Sequence, residues 1–288
     1  MGTSGNRAIM SNTEWRSPVG RLIFLFYLFL LTLGSILVLF PFIFSFTAGL
    51  KTSTEVFKPG IHLFPEEWNW GNYVEAWQRF KMIRMFSNSI IAAGGGVLGQ
   101  IIVSTMAAYS LSRLKPIGKN ILMAIILITL GIPVMAVLVP RYVIMTDLPF
   151  IHISLVNSFW GLWIPYASSP FMILILTNSF NAIPREIFEA AQLDGASEVR
   201  MFFKIAIPLS KSIIFVLGFL AFIALWGDFL WPYLIMRTPE LQPVSVRLYT
   251  LTRYAPINIF LAGSFIAMLP PTIAALFLAR RIRGGITL

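Results

Sequence analysis

The chain has 288 residues and no cysteine, which excludes disulfides and thiol chemistry. Its two histidines, His62 and His152, lie far apart and read as loop or interfacial residues, not as a metal site. Charge is scarce as well, at 12% of residues, about half the usual share of a soluble domain. No G-x-x-x-x-G-K-[ST] occurs: Gly118-Lys119-Asn120 lacks both the upstream glycine and the hydroxyl, so a P-loop nucleotide site is excluded. Neither H-E-x-x-H nor G-x-S-x-G is present, and a membrane-embedded enzyme of those types is set aside with them. The expectation is a non-enzyme with no cofactor and no metal.

What is abundant is apolar surface: 57% of residues are hydrophobic and the mean hydropathy is +0.78. These residues form long blocks that stay apolar all round, unlike water-facing helices. A net charge of +10 could suggest nucleic acid. The lysines and arginines, however, sit at the edges of apolar blocks, as in residues that anchor helix ends, and no nucleic-acid module is present.

A bilayer-spanning helix needs about twenty mostly apolar residues. Six stretches qualify: Arg21 to Ala48 with Pro41, Arg84 to Leu111, Asn120 to Met145 with Pro133 and Pro140, Val156 to Thr177, Ser212 to Met236, and Ile259 to Ala279. The first outlasts a signal-peptide core of about 7–15 residues and reads as a retained span. The fold class expected is therefore an all-α polytopic membrane protein, residues 1–288 forming one transmembrane domain. The glycine run Gly94, Gly95, Gly96 and Gly99 reads as close helix packing.

Six spans leave both termini on one side. Placing them in the cytoplasm puts a small majority of the 22 Lys and Arg inside. The dense acid-free clusters Arg113–Lys119 and Arg280–Arg283 lie on that side too. An external loop then covers residues 50–83, with Trp68, Trp70, Tyr73 and Trp77 as an aromatic belt or a docking platform. A cytoplasmic loop covers residues 179–211.

Within that loop, Pro184 suits a first helical position, and Ile187, Ala190 and Ala191 share a face. Arg185 and Glu189 are an i,i+4 pair on another. Gly195 can terminate the helix with positive φ, and Ser197 can cap a second short helix. Physics alone leaves two readings even: a knob gripped by another surface, or a hairpin packed on its own bundle.

The residues Glu189-Ala190-Ala191, Gly195 and Ile205-x-Ile207-Pro208 match the E-A-A-x₃-G-x₉-I-x-L-P signature, with Ile207 in place of leucine. The chain thus resembles the permeases of ATP-binding-cassette (ABC) importers of type I. The longer form through Asp194 and Ala196 is similar to their carbohydrate branch and its maltose permease component MalG. Leu50-Lys51, Asn72-Tyr73, Asn88-Ser89, Ala107-Ala108-Tyr109 with Arg113 and Gly118-Lys119, Trp226 and Trp231-Pro232 extend the likeness over nearly the whole chain.

The resemblance implies a sugar importer in which two permeases pair in the lipid and an external sugar-binding protein delivers the solute. Two ATP-hydrolysing subunits would each grip one loop helix. Glu189, Ala190, Ala191, Asp194 and Gly195 would form the coupling element. The family's tail stretch begins here at Gly285-Ile286-Thr287 but stops at Leu288, so the tail is either truncated or lacks its contact with the ATPase.

Asp228 is an acid inside a predicted span, and such acids suggest a functional site facing a cavity. Trp226, Trp231 and Tyr233 beside it could stack on a sugar; the alternative is local pairing of Asp228 with the tryptophans as belt residues. Arg237, Arg247 and Arg253 are compatible with an acidic saccharide such as alginate oligomers and equally with helix-end anchoring. A stand-alone secondary transporter or channel is the competing class; ion-linked acids or broken helices in repeated halves would mark it, and no internal repeat is visible.

Overall fold

A computed structural model describes residues 18–60 and 62–283, and those residues form helices and loops without strands. The expected tail from Gly285 lies outside the described residues. The first helix, α1 (Pro18–Gly49), is followed by the short α2 (Ser53–Val56) and α3 (Gly71–Arg79). Next comes α4 (Met82–Tyr109), prolonged by a π turn over Ser110–Leu114, then α5 (Lys119–Leu130) and α6 (Leu138–Thr146). The chain continues with α7 (Phe159–Tyr166), α8 (Pro170–Ala182), α9 (Arg185–Leu193), α10 (Glu198–Met201), α11 (Ile207–Leu209) and α12 (Lys211–Gly227). It closes with α13 (Leu230–Ile235), α14 (Val244–Leu251) and α15 (Ile257–Arg283).

Three of the six expected spans are unbroken helices long and apolar enough to cross a membrane: α1, α4 with its π turn, and α15. The other three are bent. The third turns by 101° between Leu130 and Val134, where Pro133 lacks an N–H to continue the ladder and stands in an extended conformation with ψ at 131°. Pro140 causes no break: it sits in the first turn of α6, where an N–H would be unpaired anyway. The fourth bends by 47° between α7 and α8, where Ser169 caps the new helix by accepting from the Met172 amide.

The fifth differs from expectation. Its helix α12 stops at Gly227 instead of Met236 and is preceded by a 76° bend at Ser210. Asp228 there is extended, and Leu230–Ile235 forms a separate helix.

The bundle is organised around α4, which packs against α7, α8 and α12 and is about 42 Å long at 1.5 Å per residue. At Gly95 an added Cβ would lie 2.2 Å from the ring of Trp163, whose Nε1–H donates to the Ile91 carbonyl at 3.0 Å. Gly95, Gly96 and Gly99 thus stand in close packing as expected, while Gly94 faces open space. At one end of α4, Ala108 and Tyr109 join Leu176, Phe180, Phe188 and Met201 in a buried cluster. At the other end, Met82 and Met85 pack with Phe80, Val244, Ile259 and Ala262. By contrast α1 is exposed along most of its length; its buried residues are Gly20 near the start and Ser45, Thr47, Ala48 and Gly49 near the end. Such bare apolar helices are stable where the solvent is hydrocarbon, because every backbone group is satisfied within the helix.

The loop after α1 is ordered by buried polar contacts. Asn72 donates to the carbonyls of Gly49 and Lys51, both at 2.9 Å. The Tyr73 hydroxyl donates to Phe46 at 2.8 Å, and the Glu55 carboxylate accepts from the Glu66 amide at 2.8 Å. Trp68 and Trp70 stack at 6.2 Å and remain half exposed.

Candidate functional site

The segment after the fourth span folds as the expected pair of short helices. Pro184 occupies the cap position and Arg185 is the first helical residue, one place later than the sequence suggested. Helix α9 ends at Leu193; the Asp194 amide reaches the Ala190 carbonyl at 3.0 Å and the Ala196 amide reaches Ala191 at 2.9 Å. These bonds close around Gly195, whose φ is +76°, a conformation that is cheap only without a Cβ. Ser197 then caps α10, accepting from the Arg200 amide at 3.3 Å.

What fastens this hairpin was not legible in the helical spacing. Phe188 is the buried residue of α9, packing on Tyr109 from the end of α4. The Arg113 guanidinium lies 4.2 Å from the Phe188 ring centroid. It also donates to the carbonyl of Phe180 and, at 2.6 Å, to that of Ile183. Those carbonyls sit at the end of α8, where helical carbonyls lack intrahelical partners and a cation is favoured. The Tyr109 hydroxyl donates to Glu198 Oε2 at 2.9 Å, so the second span holds both helices of the hairpin. The only sequence signal for this was Tyr109 and Arg113 standing where the family has them.

The outward side is apolar and uncovered. Leu193 is 90% exposed, Val199 67% and Phe203 61%, with Ile187 at 41%. Ala190 is exposed beside Glu189, Asp194 and Gly195, and Ala191 is half buried. Among the described residues no ion pair joins Arg185 to Glu189; both line a hollow of about 380 Å³ together with Arg113, Lys115 and Glu198.

The second candidate region lies where the third, fourth and fifth spans break. Asp228 accepts a hydrogen bond from the Tyr166 hydroxyl, and its carbonyl accepts from Ser245 at 2.7 Å. The Arg141 guanidinium stands 4.3 Å from the Trp231 ring and 5.6 Å from that of Tyr166. Trp226 and Trp231 are buried, and Trp231 Nε1–H donates to the Gly161 carbonyl at 3.2 Å. Tyr233 is 41% exposed within an aromatic group with Phe229 and Tyr249. Asp228 is thus paired with Tyr166 of the fourth span, and Tyr233 is the exposed ring of the three, while Trp226 and Trp231 are buried and not at a surface belt. Among the described residues no group of three or more His, Cys, Asp or Glu side chains could hold a metal.

Residues 100–286 match the family described as binding-protein-dependent transport system inner membrane component. The chain is 29% identical over 268 residues to the sn-glycerol-3-phosphate transport system permease protein UgpE of Brucella melitensis, covering 89% of this chain and 93% of that one. It is 30% identical over 253 residues to the sulfoquinovosyl glycerol transport system permease protein SmoH of Agrobacterium fabrum, covering 86% and 87%. In fold it is similar to a chain of a bacterial ABC transporter involved in the import of the acidic polysaccharide alginate. The TM-score is 0.78 at 23% identity, covering 94% of this chain and 99% of that one. The chain belongs to the binding-protein-dependent transport system inner membrane component family, as a transmembrane permease subunit of an ABC importer that has no ATP site of its own.

Proposed function

We propose that this chain forms half of the path of a sugar importer, beside a second permease, and that the hairpin over residues 183–209 is where an ATPase subunit grips it. The observation that carries this reading is the hairpin's two-sidedness. Its outer surface of Ile187, Leu193, Val199 and Phe203 is apolar and bare, while Phe188 and Arg113 fasten its inner side to the second and fourth spans. Exposed apolar patches on a stable protein mark interaction sites. Glu189 and Asp194 supply polar contacts at the rim, Ala190 and Ala191 allow close approach, and Gly195 sets the turn.

Closure of the ATPase pair would carry the hairpins together and tip the spans between two discrete arrangements, which alternating access requires. A cytoplasmic position for the hairpin, and with it both termini, is supported by the basic residues that share its end of the bundle: Arg113, Lys115, Arg185, Arg200, Lys204 and Lys211. The tryptophan-bearing loop at residues 50–83 then faces an external binding protein. The solutes named for the relatives, a glycerol phosphate and a sulfoquinovosyl glycerol, each carry an acid group, which supports an acidic sugar or sugar-like solute.

Because the chain has no cysteine, Leu193→Cys would give a unique thiol at the hairpin tip. A short thiol-to-amine cross-linker in the assembled importer should join it to the ATPase subunit. Linkage to the external binding protein, or to lipid alone, would overturn the assignment.

A further inference from the structure

At the opposite end of α4 from the hairpin, a small hollow gathers positive charge from three separate elements. Arg79 comes from the end of α3, Lys81 and Arg84 from the junction with α4, and Arg247 from α14, more than 160 residues later in the chain. The acid among its lining residues is Glu240. Arg79 is already engaged by Glu75 at 2.9 Å. Among the described residues the side chains of Lys81, Arg84 and Arg247 make no ion pair or hydrogen bond. Glu240 can offset one of these three cations, which leaves a net positive hollow.

The surroundings hold that geometry firmly. Asn88 donates to the carbonyls of Glu240 at 2.8 Å and Gln242 at 3.2 Å. Ser89 accepts from the Val244 amide at 2.8 Å, fixing the start of α14 against α4. The first turn of α4 has no side-chain cap, so the positive end of a 28-residue helix adds to the same field. Cations that merely anchor helix ends spread outward to the interface; these converge on one hollow of about 70 Å³. A space of that size admits a single oxyanion.

We propose that this hollow binds one anionic group, a phosphate, sulfonate or carboxylate, presented either by the arriving solute or by a lipid headgroup. The solute case rests on the sugar-importer reading above and places selection for an acid group at the mouth of the path. Two or three cations converging on one oxyanion form charge-assisted hydrogen bonds stronger than neutral ones.

The test uses the assembled importer in phosphatidylcholine nanodiscs, with Gln78→Cys as the sole thiol carrying an environment-sensitive fluorophore beside the hollow. Titration with inorganic phosphate should give a saturable response, weakened by about tenfold or more when Lys81, Arg84 and Arg247 are all changed to glutamine. Arg84→Lys should retain most of it. A phosphate response that persists unchanged when phosphatidylglycerol is added to the discs assigns the hollow to a soluble acid. A response that phosphatidylglycerol itself produces and saturates assigns it to the headgroup. No saturable response to either anion, or one that the triple variant keeps, overturns the site. The Leu193 cross-link reads the opposite end of the molecule, so either result can fail without the other.

Discussion

Replacing Gly195 by alanine isolates the contribution of one backbone conformation to coupling. The residue sits at φ +76°, and a Cβ added there meets nothing within 4 Å, so the substitution creates no clash. What it adds is the intrinsic cost of a left-handed L-residue, about 1–2 kcal/mol. The hairpin tip contributes no buried side chain, with Leu193 90% exposed, so that cost falls on the turn and leaves the bundle intact. A penalty of this size lowers the ratio of native to opened turn by roughly 5–30-fold, and affinity for the ATPase subunit should fall by up to the same factor. The measurement is a titration of the purified ATPase subunit onto the permease pair in nanodiscs, with thermal unfolding of the permease as a control. Gly195→Asn, whose side chain tolerates the left-handed region, should bind within about threefold of wild type, since it restores most of the turn. Wild-type binding by the alanine variant, or equal losses for alanine and asparagine, would refute the role of the turn.

Three further substitutions probe how the hairpin and the bundle are held. Arg113→Ala removes the charged donor from the Ile183 carbonyl and from the Phe180 carbonyl, which keeps the Ile183 amide at 3.3 Å, and bares the Phe188 ring, a loss of about 1.5–3 kcal/mol for hydrogen bonds to a charged group; amide hydrogen exchange over residues 185–201 should quicken about tenfold or more, and an unchanged rate would mean the clamp is not what holds the loop. Gly95→Leu drives a side chain into Trp163, whose ring lies 2.2 Å from the Cβ position, and should lower stability in detergent by about 1–3 kcal/mol, whereas Gly94→Ala, with open space around it, should leave the unfolding midpoint at or above that of wild type.

The spans were legible because hydrocarbon imposes one simple demand, a run of about twenty apolar residues, and α1, α4 and α15 meet it without interruption. The breaks were less so. Pro133 announced itself, yet Pro140 is equally a proline and breaks nothing, since its effect depends on the turn in which it falls. The end of the fifth span at Gly227 depends on Asp228 finding the Tyr166 hydroxyl, 62 residues away, and no local pattern encodes that partner. In the hairpin the caps, the glycine turn and the motif residues were readable one by one. Which face turns inward was not: Ile187 and the alanines formed the apparent apolar stripe, while the anchor is Phe188, buried because Tyr109 and Arg113 arrive from another helix to receive it.

Arg113 holds carbonyls at the end of the fourth span and the aromatic anchor of α9 with the same planar group, and it is itself mounted on the π turn that ends the second span. On the proposed reading, a pull on the hairpin would reach α4 and α8 together through this one side chain, in the manner of a bell crank.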